Sequence, residues 1–134
     1  MALSRTPLIA IAAGVASGAV WLGLMEAAVR FIPEASPWSS TVGSMLTSLA
    51  GIIPGFAAGL VAARRGFIVG AVAGVLTSLL WSTYANFINP RSIVDPAPAA
   101  VIPHEVTWAL AAVAVAGICG IAGAAVARER WNAF

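Results

Sequence analysis

The sequence contains very little charge and no lysine at all. Only 9% of its 134 residues are charged, whereas 60% are hydrophobic, and the mean hydropathy is +0.95. Soluble domains are about one-quarter charged and about half apolar, and disordered chains contain few apolar residues. This composition excludes a water-soluble enzyme, a nucleic-acid-binding module and a disordered tail, and it indicates a protein of the lipid bilayer.

Residues that carry chemistry are also scarce. The chain has one cysteine, Cys119, and one histidine, His104. An internal disulfide is therefore excluded, and a zinc site, which needs about four ligands, is not expected. Cys119 lies in an apolar run and is expected to behave as a small apolar residue. Since no catalytic triad, HExxH motif or phosphate-binding loop occurs, we expect no enzyme activity, no metal and no cofactor.

Four apolar segments are long enough to cross a membrane as helices, which takes about 20 residues each. They cover residues 7–31, 40–63, 66–88 and 104–127. The first run is longer than the apolar core of a signal peptide, about 7–15 residues, so we expect it to be retained. The predicted fold is an all-α, integral membrane four-helix bundle that forms a single transmembrane domain over residues 1–134.

The arginines are divided unevenly between the two sides of this four-span topology. Arg30 and Arg91 fall on one side, and five fall on the other: Arg5, Arg64, Arg65, Arg128 and Arg130. Because basic residues beside spans stay in the cytoplasm, both termini and the turn at residues 64–65 are predicted to be cytoplasmic. The predicted location is the plasma membrane as a multi-pass protein, and the many alanines and arginines favour a bacterial inner membrane.

The two halves of the chain resemble each other. Two gapless alignments relate them: residues 12–21 with 72–81, and residues 55–65 with 120–130. The matches include Trp21 with Trp81 and Arg65 with Arg130. The alignments predict two parallel helical-hairpin repeats about a pseudo-two-fold axis along the membrane normal. Chance similarity between stretches rich in alanine and glycine is the alternative.

Small residues recur at every fourth position in the spans, as in a glycine zipper. Such stripes let helix backbones approach one another closely. The candidate helix-packing residues are Gly14, Gly18, Gly51, Gly55, Gly59, Gly66, Gly70, Gly74 and Gly120. Since the stripes of the second and third spans flank one tight turn, we expect these two spans to pack closely. The stripes could serve packing within one chain or association between copies, and the sequence leaves both open.

Pro54 lies in the middle of the second span. It has no N–H to donate to the carbonyl of Ala50, so a kink is predicted there. Such a kink is typical of a transporter gate, but it also occurs as a plain adaptation of helix packing.

Glu26 lies inside the first predicted span, close to its outer end. It is the one candidate for a functional ionisable residue within a span, and it has two interpretations. In the first, it forms an interfacial ion pair with Arg30, four residues later on the same helix face. In the second, it faces a polar cavity in the outer half of the bundle. The candidate ion- or ligand-binding residues are then Glu26, Asn86, Ser48 and Ser82, where Asn86 corresponds to Glu26 in the repeat.

Residues 55–81, GFAAGLVAARRGFIVGAVAGVLTSLLW, carry a glycine-rich span through a short arginine turn into a second glycine-rich span. This pattern resembles uncharacterised small four-span bacterial inner-membrane proteins. The resemblance implies the same four-span fold. No activity is attached to it, so it transfers no functional residues.

Two functions from different classes follow from these patterns. The first is a non-catalytic integral membrane protein, an assembly or accessory subunit that packs through its glycine-rich helix faces. The alternative is a small transporter or channel with an outer-half polar cavity near Glu26 and Asn86. A lipid-binding accessory protein is a third. The expected partners are the lipid bilayer and either further copies of the chain, as a homo-oligomer, or a larger membrane complex; nucleic acid is not expected.

Overall fold

The computed structural model describes residues 6–31, 39–84 and 98–132, and these form four α-helices. The helices are α1 (Thr6–Phe31), α2 (Ser39–Ala62), α3 (Gly66–Thr83) and α4 (Pro98–Asn132). The prediction of an all-α chain with four helices is therefore confirmed.

Three helices contain segments that are long and apolar enough to cross a membrane. These segments are Pro7–Ala28 in α1, Gly66–Thr83 in α3 and Ala109–Arg130 in α4. Within the described residues of α2 the apolar segment is shorter and covers Leu49–Ala62. By length and composition, three helices of the described structure could thus cross a membrane, and the second predicted span is helical throughout residues 40–62.

α4 is longer than the predicted span 104–127 at both ends. It begins at Pro98, because proline fits the first helical turn, where its missing N–H costs no bond. At the other end Arg128 Nε donates to the carbonyl oxygen of Ala124 at 3.2 Å, and arginine and glutamate favour the helix as strongly as apolar residues do. The apolar segment and the helix therefore have different ends. Residues 85–88, which were predicted to continue the third span, lie outside the described residues.

A three-residue turn, residues 63–65, joins α2 to α3. Ala63 has a φ of 50° and Arg65 a φ of 56°, both in the left-handed region. The Ala63 N–H donates to the carbonyl oxygen of Gly59 at 3.0 Å, which is the helix-ending motif that usually carries glycine at this position. We name the end of the bundle that carries this turn the turn end, and the opposite end the loop end.

α2 and α3 form a central pair, and α1 and α4 pack on opposite sides of it. Both outer helices contact α2 and α3, whereas α1 and α4 make no contact with each other through the described residues. A two-fold axis that exchanges α1 with α3 and α2 with α4 would make the α1–α4 contact equivalent to the α2–α3 contact. The packing does not follow that symmetry, and the sequence duplication stays a prediction.

The interior is built from alanine and glycine. Its core cluster consists of Ala10, Ala58, Val69 and Ala73, and Pro54 is the largest fully buried side chain among the described residues. The leucines and isoleucines lie mostly on the outside of the bundle. Small residues inside and large apolar residues outside are what a bundle in lipid needs, because lipid solvates leucine as well as a protein interior does.

Candidate functional site

The glycine stripes of α2 and α3 both face α4. The carbonyl oxygen of Ala116 lies in the path of a Cβ atom at Gly55 and at Gly70. One turn further along α4, the carbonyl oxygen of Gly120 lies in the same relation to Gly59 and Gly66. The carbonyl groups of Ala116 and Gly120, one turn apart on α4, therefore each lie between a glycine of α2 and a glycine of α3. We name this contact the glycine seam.

The seam brings backbones together at a distance that only glycine allows. A Cβ atom at Gly120 would overlap the carbonyl oxygen of Gly66 and would lie 3.0 Å from the Cα atom of Gly70. In such a contact a Cα hydrogen points at a carbonyl oxygen, an arrangement that recurs between closely packed helices and contributes about 0.5–1 kcal/mol each. The seam thus gives directional contacts as well as close packing.

This geometry corrects the partner that the sequence suggested for the stripes. α2 and α3 do contact each other, but the glycines that led to that expectation contact α4. The physical reason is that one helix with small residues, inserted between two others, can satisfy both stripes at once. Gly74 belongs to the same surface, since a Cβ atom there would meet the side chain of Ala116.

α1 uses its glycines against the other side of the central pair. A Cβ atom at Gly14 would lie 2.6 Å from the carbonyl oxygen of Pro54 and 2.7 Å from the Cβ of Ala73. A Cβ atom at Gly18 would lie 2.6 Å from the side chain of Thr77. Thr77 is buried, and its hydroxyl donates to the carbonyl oxygen of Ala73 at 2.8 Å, so its polar group is satisfied within α3.

Two glycines of α4 escaped the sequence analysis. A Cβ atom at Gly117 would meet the ring of Phe67, and one at Gly123 would meet the carbonyl oxygen of Phe56. Both lie off the four-residue stripe that contains Gly120. Their three-residue spacing from Gly120 is the signal that could have identified them.

The interpretation of Glu26 as a partner of Arg30 is confirmed. Arg30 Nη2 lies 3.2 Å from Glu26 Oε1, with the two side chains 55% and 21% exposed respectively. Of the other members of the proposed polar site, Ser82 is half-buried on α3. Asn86 and the side chain of Ser48 lie outside the described residues, so the polar site stays a prediction.

An apolar groove opens between α1 and α2 on the loop-end side of the core. Its volume is about 360 Å³, and its lining residues are Ala16, Ser17, Val20, Trp21, Leu24 and Ile53. The one hydroxyl in the lining belongs to Ser17, which donates to the carbonyl oxygen of Gly14 at 2.8 Å. Glu26 does not line this groove, so the groove differs from the predicted polar cavity.

The turn end carries exposed arginines. Arg64 and Arg65 lie at the turn, and Arg128 and Arg130 lie near the end of α4, where all four are exposed. They share one end of the bundle because Gly66 packs against Gly120. Arg5, the fifth arginine predicted on this side, lies outside the described residues.

Cys119, His104 and Glu105 are the remaining candidates for a reactive or metal-binding role. Cys119 is a half-buried free thiol. No group of three or more histidine, cysteine or acidic residues that could hold a metal occurs within residues 6–31, 39–84 and 98–132 as described. The side chains of His104 and Glu105 lie outside the description.

Comparison of the chain with protein-family models, curated proteins and solved structures found no match.

Proposed function

We propose that this chain is a non-catalytic integral membrane protein that acts as an assembly or accessory subunit of a membrane complex. The observation that carries the proposal is the interior, which among the residues of described burial consists mostly of alanine and glycine. The groove found in the described structure is apolar and lies apart from Glu26. A transporter or an enzyme needs positioned polar groups inside the membrane, whereas a subunit needs a stable bundle and an outer surface.

The proposed topology has four spans with both termini in the cytoplasm of a bacterium, in its inner membrane. It is supported by the exposed arginines at the turn end, since basic residues flanking spans stay on the cytoplasmic side. The paired Glu26 and Arg30 lie on α1 away from that end. Reactivity of single cysteines placed at Arg64 and at Phe31 with a membrane-impermeant maleimide, in intact cells of a Cys119→Ala background, tests this orientation.

A partner would have to use surfaces other than the glycine seam. Gly55, Gly59, Gly66, Gly70 and Gly120 are all covered by helices of the same chain. We therefore propose that the glycine-rich faces hold the bundle together. The large apolar residues on its outside would then contact lipid or a partner protein.

Native mass spectrometry of the tagged protein, extracted in mild detergent from its own host, tests the proposed function. We expect a larger membrane protein to co-purify at fixed stoichiometry. Glu26→Gln is the matched control, because it removes the charge of the second candidate site without touching the seam, and the same stoichiometry is expected. Recovery of both proteins solely as monomers or small homo-oligomers would contradict the proposal.

The second candidate is a small transporter or channel. The observation that favours it is that the buried residues of the described structure all lie at residues 10–18, 54–59, 66–77 and 116–127, towards the turn end. Among the loop-end residues whose burial is described, at positions 19–31, 49–53, 78–84 and 106–115, none is buried. Proteoliposomes that contain a pH-sensitive dye, exposed to a Na⁺, K⁺ or ethylammonium gradient, test it. Transport would require proton flux that Glu26→Gln abolishes and that the neighbouring Leu24→Ala retains.

A further inference from the structure

α2 packs differently on the two sides of Pro54. On the turn-end side, Gly55 and Gly59 lie so close to the backbone of α4 that a Cβ atom at either position would overlap it. On the loop-end side, a Cβ atom at Gly51 would lie 3.4 Å from the side chain of Val115, which is an ordinary contact. Among the α2 glycines that the structure describes, the two that follow the proline therefore pack on the backbone of α4, whereas Gly51, which precedes it, does not.

The helix is also weakened at that point. Since Pro54 has no N–H, the carbonyl of Ala50 loses its donor within the helix. Pro54 itself is fully buried, and its own carbonyl oxygen faces Gly14 of α1. The proline is therefore fixed in the core, while the hydrogen bond that would hold the preceding turn to it is missing.

The loop-end side of Pro54 borders open space. Ile53 lines the groove together with Val20, Trp21 and Leu24 of α1. Further along α1, Gly23 has no atom within 4 Å of the position that a Cβ would take. On the loop-end side of the proline, the described residues of α1 thus border open space.

We propose that α2 is hinged at Pro54. Residues 39–53 swing as one helical segment against a rigid base formed by the glycine seam. The hinge is a property of the bundle and does not depend on the proposed partner.

The size of the motion follows from the length of the helical segment that precedes Pro54. Met45 lies nine residues before Pro54, which is about 14 Å along the axis. Proline is a common cause of helix kinks sharper than about 20°. A change of about 20° at Pro54 would move Met45 by about 5 Å over this distance. A residue on the other side of the hinge, such as Val61, would not move.

Pulsed electron paramagnetic resonance between two nitroxide labels tests the hinge in the full chain, with Cys119 replaced by alanine. The loop-end pair joins Leu24 of α1 to Met45 of α2, and the control pair joins Leu8 to Val61 of the same two helices. We expect the loop-end distance distribution to be broader than the control by several ångströms. Distributions of equal width would overturn the hinge.

Pro54→Ala restores the missing N–H and provides a second test. The loop-end distribution is expected to narrow to the width of the control pair, while the control pair keeps its distance. If the loop-end distribution stays broad although the control pair shows an intact base, the motion does not depend on Pro54 and the proposal is wrong. If Pro54→Ala disrupts the base, the comparison of the two pairs in the parent chain still decides the outcome.

Discussion

Gly120→Ala tests the glycine seam most directly. The added Cβ atom would overlap the carbonyl oxygen of Gly66 and would lie 2.9 Å from the carbonyl carbon of Gly66. It would also lie 3.0 Å from the Cα atom of Gly70. Carbon atoms prefer a separation of about 3.5–4.0 Å, and the obstructing atoms are backbone, which cannot rotate away. α3 and α4 must therefore separate, and overpacking of this kind costs about 1–3 kcal/mol.

Gly23→Ala is the matched control for this substitution. Both glycines lie within helices, so both substitutions gain the same helix propensity, about 1 kcal/mol. Gly23 has no atom within 4 Å of the new Cβ position, so no packing cost opposes that gain. The difference between the two variants isolates the cost of the overlap, and we expect Gly120→Ala to be the less stable by about 1–3 kcal/mol.

The assay is reversible unfolding in mixed micelles of increasing SDS fraction, followed by tryptophan fluorescence and far-ultraviolet circular dichroism. A Gly120→Ala variant as stable as Gly23→Ala would refute the seam as the contact that holds α4 in the bundle. Close packing would then have to lie elsewhere on α4.

Three further substitutions have defined outcomes in the same assay. Ala63→Gly should stabilise the bundle by up to about 1 kcal/mol, because glycine adopts the left-handed φ of 50° without the clash of a Cβ atom; a loss of stability would mean that this turn tolerates alanine without strain. Thr77→Val keeps the shape that fits Gly18 and removes only the bond to Ala73, whose carbonyl retains its helical donor, so the change should stay below about 1 kcal/mol; a larger loss would show that the hydroxyl stabilises α3. Glu26→Gln breaks a partly exposed ion pair and should cost less than about 1 kcal/mol, with the larger effect at low salt; a greater, salt-independent loss would indicate a structural role inside the bundle.

The glycine seam and the proposed hinge at Pro54 would give the two ends of the bundle different rigidity. The turn end is held by contacts between backbones, which give no room for side-chain rearrangement. The loop end has large apolar side chains, an open groove and a proline at its boundary. With the proposed hinge at Pro54, such a bundle would keep its helices assembled while residues 39–53 change direction.

The sequence by itself determined the helical class and much of each helix. An apolar chain with little charge must satisfy its backbone internally, so the helices follow from composition and length alone. The Glu26–Arg30 pair was predictable for the same reason, because residues four apart on one helix are neighbours whatever the tertiary fold. The tight turn before Gly66 was predictable from its two arginines between apolar runs.

The tertiary structure alone decided which helix each glycine stripe contacts. A stripe shows that one face of a helix is flat, but a flat face on α2 fits α3 or α4 equally well as far as spacing is concerned. The choice depends on the shapes of all four helices together. Here Ala116 and Gly120 of α4 pack between α2 and α3 and form the glycine seam. Contacts within a helix are determined by local periodicity. Contacts between helices depend on which of several surfaces pack best together, and those surfaces come from distant segments of the sequence.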